Sequence, residues 1–330
     1  MADEEDWTIP PDLRPDPADY RFDLAHALRS VVALKAQVPQ DAFSARTLGT
    51  EREGSGVVIR HDGLILTIGY LVSEAEQVWI TTSTGRVVPG HALAQDFETG
   101  FGLVQALGRL EAPAIELGDP LGPKTGAACI LAAAAGEPSR ETEGAVACTI
   151  AAREPFAGYW EYVLDEALFT APAHPSWGGA ALIGEEGRLA GIGSLVLQHR
   201  DPKGRRLDLN MVVPIGLLHP IMDDLLAYGR VNKPARPWLG LYAAEQEEGI
   251  VVASVAPRGP AEKAGLQAGD RIIGIGGEEA ADLAGLWRSL WAKGSAGVRL
   301  TVEAERAGRR FSVPVLSADR ASFLKAPRLH

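Results

Sequence analysis

Residues 54–72 read Gly54-Ser55-Gly56-Val57-Val58-Ile59-Arg60-His61-Asp62-Gly63-Leu64-Ile65-Leu66-Thr67-Ile68-Gly69-Tyr70-Leu71-Val72. Two apolar runs, Val57 to Ile59 and Leu64 to Thr67, flank a polar turn that ends in Gly63, the pattern of two short strands. Further runs of this kind lie at Gln77 to Thr81, Ala128 to Leu131, Val146 to Ile150 and Leu189 to Gly193, among Gly, Pro and Asp turns. Short strands at this spacing from Gly54 to about Val213 indicate an all-β sandwich or barrel pair, because roughly 160 residues are too many for one small barrel.

The composition agrees with this. The chain has 330 residues, 46% apolar and 23% charged, enough apolar mass for large cores in two or three domains. Its 37 Gly and 22 Pro favour many short elements and rule out a coiled coil. With 32 basic and 43 acidic residues the formal charge is −11, so no large basic field exists to attract nucleic acid or anionic lipid. Cys129 and Cys148 fit neither a disulfide framework nor a zinc spacing and read as small buried apolar residues. The N-terminus, Met1 to Trp7, carries four acids where a secretory signal has a basic end and an apolar run. No stretch reaches the ~18 consecutive apolar residues of a membrane-spanning helix. A cytoplasmic protein is expected.

Around the β-rich region, residues 1–22 read as an acidic, Pro-rich extended arm with three aromatics, Trp7, Tyr20 and Phe22. Leu24 to Leu34 has near-helical spacing and predicts a short amphipathic helix. Pro214 to Val231 predicts a second one, stopped by Gly229. Residues 232–237, with Pro234 and Pro237, read as a stiff linker. Beyond them lies an α/β unit with strands near Leu239, Ile250 to Val255, Arg271 to Gly274, Arg299 to Glu303 and Arg310 to Val315, and a helix near Asp282 to Lys293. The division is therefore 1–22 arm, 23–231 β-rich domain with its closing helix, 232–237 linker, 238–318 second domain and 319–330 tail.

The quoted stretch resembles the first barrel of the HtrA-type trypsin-like serine proteases, with their Gly-Ser-Gly-Val-Val-Ile and Ile-Leu-Thr segments. Asp96 to Val104 is similar to the family's Asp-x-x-Thr-Asp-Leu-Ala-Leu-Leu segment, Leu117-Gly118-Asp119 to its Leu-Gly-Asp turn, and His174 to Leu182 to its nucleophile loop. Met211-Val212-Val213-Pro214-Ile215 resembles the Phe-Ala-Val-Pro-Ile that leads toward a PDZ domain. The implied fold is mainly β: a trypsin-like double β-barrel followed by an α+β PDZ domain, the resemblance covering about residues 54 to 316.

The same resemblance places Tyr70 where the family has its general base His, Gly100 where it has the orienting Asp, and Gly178 where it has the nucleophilic Ser. A serine hydroxyl needs an imidazole to take its proton, and the imidazole needs a carboxylate to fix its tautomer. A phenol, with a reference pKa of about 10, stays protonated near pH 7 and cannot act as that base. A displaced triad of Ser176, His174 and Asp96 or Glu98 would sit several Å from the required positions, since two residues of chain separate Ser176 from Gly178. Trp177, beside the former nucleophile, is expected to cap or fill the cleft.

Other features carry less chemistry. His61, His91, His174, His199 and His219 have no metal spacing and read as surface or turn residues, so neither a metal nor a cofactor is implied. Arg200, Lys203, Arg205 and Arg206 read as a solvated hairpin tip.

The resemblance gives the last domain its working parts. Trp238-Leu239-Gly240-Leu241 corresponds to the loop whose backbone N–H groups receive a peptide C-terminus, with Leu283, Leu286, Trp287 and Leu290 along the groove helix. The expected function is that of a pseudoprotease: a scaffold, adaptor or chaperone-like subunit whose partners are peptides or protein C-termini. The rivals are an active endopeptidase with a displaced triad and a purely structural assembly subunit. The resemblance also implies a homo-oligomer, a trimer joined through aromatic residues of the N-terminal part.

Overall fold

The Val57 and Leu64 runs pair antiparallel, Val57 opposite Leu66 and Val58 opposite Ile65, inside a closed six-stranded barrel. This computed structural model describes residues 9–134, 142–200, 204 and 206–325. Two units are distinguished: one holds the chain up to Glu154, then Glu166–Val231 and Lys325; the other holds Pro155–Asp165 and Asn232–Leu324.

In the first unit a short helix α1 (Leu24–Leu28) precedes the first barrel. Its strands are β1 (Val31–Gln37), β2 (Glu51–Val58), β3 (Leu64–Ile68), β4 (Gln77–Thr81), β5 (Val87–Gln95) and β6 (Phe101–Ala106), in spatial order β1-β2-β3-β6-β5-β4. One-turn helices α2 (Ala45–Leu48) and α3 (Gly69–Val72) interrupt them. Every residue of β3 is buried, so this strand is a continuous apolar run rather than an alternating one. The second barrel contains β7 (Ala128–Ala132), β8 (Ala145–Gly158), β9 (Tyr162–Ala171), β10 (Ala181–Ile183), β11 (Leu189–Arg200) and β12 (Arg206–Pro214), in order β10-β11-β12-β9-β8-β7. Cys129 and Cys148 face each other across β7 and β8, both buried, and burial pushes each thiol up to about 12. They behave as apolar core.

Several elements depart from the sequence reading. The helix expected over Leu24 to Leu34 ends at Leu28, because Val31 and Val32 pair with Val57 and Gly56 in β1. Two β-branched residues with a waiting strand partner outweigh a marginal helical periodicity. The run after Pro214 forms a 3-10 turn, Ile215–Leu217, and then only seven residues of α4 (Met222–Tyr228). Pro220, which lacks an N–H and clashes with a preceding helical turn, keeps the two apart. The arm is not loose where it is described. Ile9 is buried in the second barrel's core beside Leu131, Leu168 and Val212, and 3-10 turns form at Pro11–Leu13 and Pro17–Asp19. The Tyr20 and Phe22 rings pack at a tilt, 5.5 Å apart, and Phe22 lies against Gly187 of this same chain. Trp7 lies outside the described residues, as do Lys203 and Arg205 of the basic tip; Arg200 and Arg206 pair at the ends of β11 and β12.

The second unit carries a sheet ordered β13-β14-β15-β17-β18, from β13 (Leu241–Gln246), β14 (Gly249–Val255), β15 (Arg271–Ile275), β17 (Arg299–Arg306) and β18 (Arg309–Leu316), with a two-residue β16 (Glu278–Glu279) beside β15. The short helix α5 (Pro260–Lys263) and the longer α6 (Leu283–Ala292) complete it. Asp282 caps α6 by accepting the Gly285 N–H at 2.6 Å, which satisfies one of the helix's unpaired donors. The strand expected near Leu239 begins at Leu241, because the residues before it form a loop. Residues 232–237 and 319–324, read as linker and tail, belong to this unit: Arg236 lies over Trp291 at 4.3 Å and Phe323 against Trp238 at 4.9 Å. So do Pro155–Asp165, the far ends of β8 and β9 with their connecting turn. Asp270 is fully buried and accepts two bonds from Arg306, Nε at 2.6 Å, and the Gln267 N–H at 2.9 Å. Burial works against its charge, but these donors hold its carboxyl below the usual range.

Candidate functional site

In the first unit α3 and the β9–β10 loop bring Tyr70 and Gly178, two of the three positions assigned from sequence to a triad, close together. A Cβ placed on Gly178 would lie 2.9 Å from the Tyr70 hydroxyl, closer than a side-chain carbon tolerates, so the phenol fills the space that any side chain at 178 would need. Tyr70 is not poised as a base. Its hydroxyl donates to the Ser194 carbonyl at 3.0 Å, and burial raises its pKa well above that of an exposed phenol, against a weaker lowering by the Trp177 side chain. Gly100, the third position assigned from sequence, has φ +88°, a conformation natural to glycine and strained for an aspartate. Its N–H and C=O are used by Asp96 O and Gly69 N.

The loop around Gly178 is set by backbone bonds. Ser55 N–H donates to Gly178 O at 2.8 Å, Gly179 N–H to Gly193 O at 2.9 Å and Ala180 N–H to Trp177 O at 3.1 Å. His174, read as a surface or turn residue, is buried at 2% exposure, which corrects that reading. The main chain of His174 is clamped by Asn210, whose Oδ1 accepts at 2.6 Å and whose Nδ2 donates at 3.1 Å. Its Nδ1 accepts the Ser176 N–H at 2.9 Å, so the ring proton sits on Nε2, which donates to Gly144 O at 3.1 Å. Burial lowers its pKa to about 4, and the Gly144 bond only partly opposes this.

Both nitrogens of His174 are therefore committed to main-chain groups, and neither is available to take a proton from Ser176. The oxyanion position is affected as well. In a trypsin-like site the oxyanion donors are the N–H groups of the nucleophile and of the residue two before it. Here the second of these, Ser176 N–H, points to an imidazole nitrogen instead. Asp96 is likewise spent on its own turn, accepting from Thr99 N at 2.8 Å and Thr99 Oγ1 at 2.7 Å. A cleft of about 620 Å³ remains beside Tyr70, Trp177 and Gly178, bounded also by Ser55 and Leu34.

In the second unit the backbone N–H groups of Leu239, Gly240 and Leu241 converge, Gly240 taking φ +77° to turn them together. They converge on Glu161. Its Oε1 accepts from Gly240 at 2.7 Å, Leu241 at 2.8 Å and Leu239 at 3.2 Å, and its Oε2 accepts from Leu239 at 3.1 Å. Burial pushes the Glu161 carboxyl up to about 7, opposed by these N–H groups and by the charge of Arg320. Of the residues assigned from sequence to the groove, Trp238, Leu239 and Leu241 are buried, and so are Leu283, Leu286, Trp287 and Leu290 of α6. The four α6 residues belong to the unit's apolar core, together with Val163 of the 155–165 segment. Trp287 also makes a polar contact, its Nε1 donating to Gly158 O at 2.9 Å. Sequence reasoning missed Glu161 and Gly158. The only local signal is the aromatic density of Phe156 to Tyr162, which names no partner.

These features define a trypsin-like peptidase domain joined to a PDZ domain: residues 54–192 match the family model of the trypsin-like peptidase domain, and residues 237–316 match that of the PDZ domain. Among curated proteins, the chain is 25% identical over 292 residues to the serine protease Do-like HtrA of Bacillus subtilis (strain 168), covering 79% of this chain and 64% of that protein. It is 25% identical over 304 residues to a probable periplasmic serine endoprotease DegP-like of Pseudomonas fulva (strain 12-X), covering 86% and 60%. It is 26% identical over 278 residues to the serine endoprotease DegS of Salmonella typhimurium (strain 14028s / SGSC 2262), covering 80% and 76%. The aligned region thus spans about six tenths of the first two relatives. Among solved structures, the HtrA-type protease AlgW with decapeptide superposes with a TM-score of 0.53 at 21% identity, covering 93% of this chain and all of that one (100%). The serine endoprotease from Yersinia pestis gives 0.50 at 22%, covering 90% and 98%. The chain thus joins a trypsin-like peptidase domain to a PDZ domain and is similar over most of its length to HtrA-type proteases.

Proposed function

We propose that this protein is a non-proteolytic member of its family, a cytoplasmic scaffold, adaptor or chaperone-like subunit that binds peptides or protein C-termini through its PDZ domain. The observation that carries the reading is the set of residues at the triad positions, Tyr70, Gly100 and Gly178. None of them supplies a nucleophile or a base at neutral pH. The commitments of His174 and Ser176 support it further, because the imidazole and the hydroxyl-bearing residue of this loop are tied into a backbone turn. Loss of triad members leaves only the help of the oxyanion hole and of binding, ~10³ to 10⁴ over uncatalysed water, below what an ordinary protease assay detects. With Ser176 N–H turned away, even that residue of catalysis shrinks.

Active-site labelling with a fluorophosphonate probe tests the reading, since labelling requires an activated serine and no particular substrate. The expected result is no labelling and no cleavage of casein. Stoichiometric labelling that disappears in Ser176→Ala would establish the displaced triad and overturn the proposal.

A further inference from the structure

A PDZ groove takes an extended peptide as an added strand, its terminal carboxylate in the N–H loop and its main chain along the neighbouring strand. In this protein each of those positions is occupied by residues 158–161. The Glu161 side chain puts a carboxylate on the N–H groups of Leu239, Gly240 and Leu241. Two residues upstream, Tyr159 O accepts the Ala243 N–H at 2.9 Å, the main-chain bond of an added strand beside β13. One residue further, Gly158 O accepts from Trp287 Nε1 on α6, so the segment is held from both walls of the groove. The Tyr159 ring lies 6.1 Å from that of Tyr242, and Ala157 and Val163 pack on the apolar core either side of the segment. Glu161 itself adopts φ +59°, which few non-glycine residues tolerate, and it is 7% exposed. Backbone strain and a buried acid on one residue, both offset by one set of contacts, are what a built ligand position looks like rather than a surface turn.

Resting on the peptide-binding reading above, we infer that the groove carries an internal ligand, Gly158 to Glu161, in which the Glu161 side chain stands in for a C-terminal carboxylate, and that partners with a free C-terminus bind by competing with it. The groove of the isolated protein is therefore closed to weak peptides. Its partners are chains whose terminal carboxylate and preceding residues outbid a segment already tethered in place, and an amidated peptide cannot do so.

The test uses the full chain and two variants, Glu161→Ala and Glu161→Asn. Asparagine is tolerated at positive φ, so the second variant keeps the turn while losing the reach and charge of the carboxylate. Backbone amide exchange reports occupancy without any added peptide: at Gly240, Leu241 and Ala243, exchange is expected to be at least tenfold faster in both variants, with the β17 and β18 amides unchanged. Fluorescence polarisation with a library of free-carboxylate peptides reports competition: the variants bind at least tenfold more tightly than the wild type, and amidated versions bind neither. Equal exchange in the wild type and both variants overturns the internal ligand. Equal affinity for the same peptides also overturns it, while leaving the peptide-binding reading intact. Faster exchange in the variants with no peptide binding to any form keeps the internal ligand and removes the peptide-binding reading instead.

Discussion

His174 gives a quantitative handle on the loop around Gly178. Folding takes its pKa from 6.5 to about 4, because burial disfavours the charged ring and the Gly144 bond only partly opposes this. The folded value is the depressed one, so between these limits the unfolded chain binds a proton that the folded chain refuses. Stability from this residue is complete above about pH 6.5 and is lost as pH falls toward 4. Some 2.5 pH units at 1.36 kcal/mol each give roughly 3 kcal/mol. His174→Asn isolates that contribution, since Asn Oδ1 stands near the place of Nδ1, can still accept the Ser176 N–H, and does not titrate. Urea unfolding of both proteins at pH 7.5, 6, 5 and 4 measures the difference, and every other titrating group cancels in the comparison. The wild type's advantage over His174→Asn should shrink by about 3 kcal/mol across the series. A difference that stays constant with pH, or an imidazole that NMR shows titrating near 6.5, would refute the argument.

Introducing Tyr70→His, Gly100→Asp and Gly178→Ser together should yield no detectable casein cleavage. The new aspartate would have to adopt the φ of +88° that Gly100 holds, and the Ser176 N–H would still face His174. Robust turnover by that triple variant would show the cleft to be far more adaptable than its hydrogen bonds indicate. In the second unit, Asp270→Asn replaces a buried carboxylate that accepts from the half-exposed Arg306 and from Gln267, and should lower stability because the charge-assisted bonds from Arg306 weaken. Thermal unfolding would contradict this if the melting temperature were unchanged.

By itself the sequence determined the strand-rich barrel pair and the order of the two domains. Each of these is written in short windows, such as the apolar runs bounded by Gly63 or Gly193 and the prolines of residues 232–237. Even within such windows, Val31 and Val32 went to β1 rather than to a helix, because a cross-strand partner 26 or 24 residues away decided their conformation. Tertiary structure alone decided what those windows touch. His174 looks like any turn histidine until Asn210 and Gly144 close over it. Glu161 looks like a solvated acid between two aromatics until Leu239, 78 residues further on, brings its N–H to it. Periodicity and turn chemistry are local and leave a signature in spacing. The burial of one acid against three distant backbone donors has none, because backbone N–H groups carry no residue identity for a sequence to display.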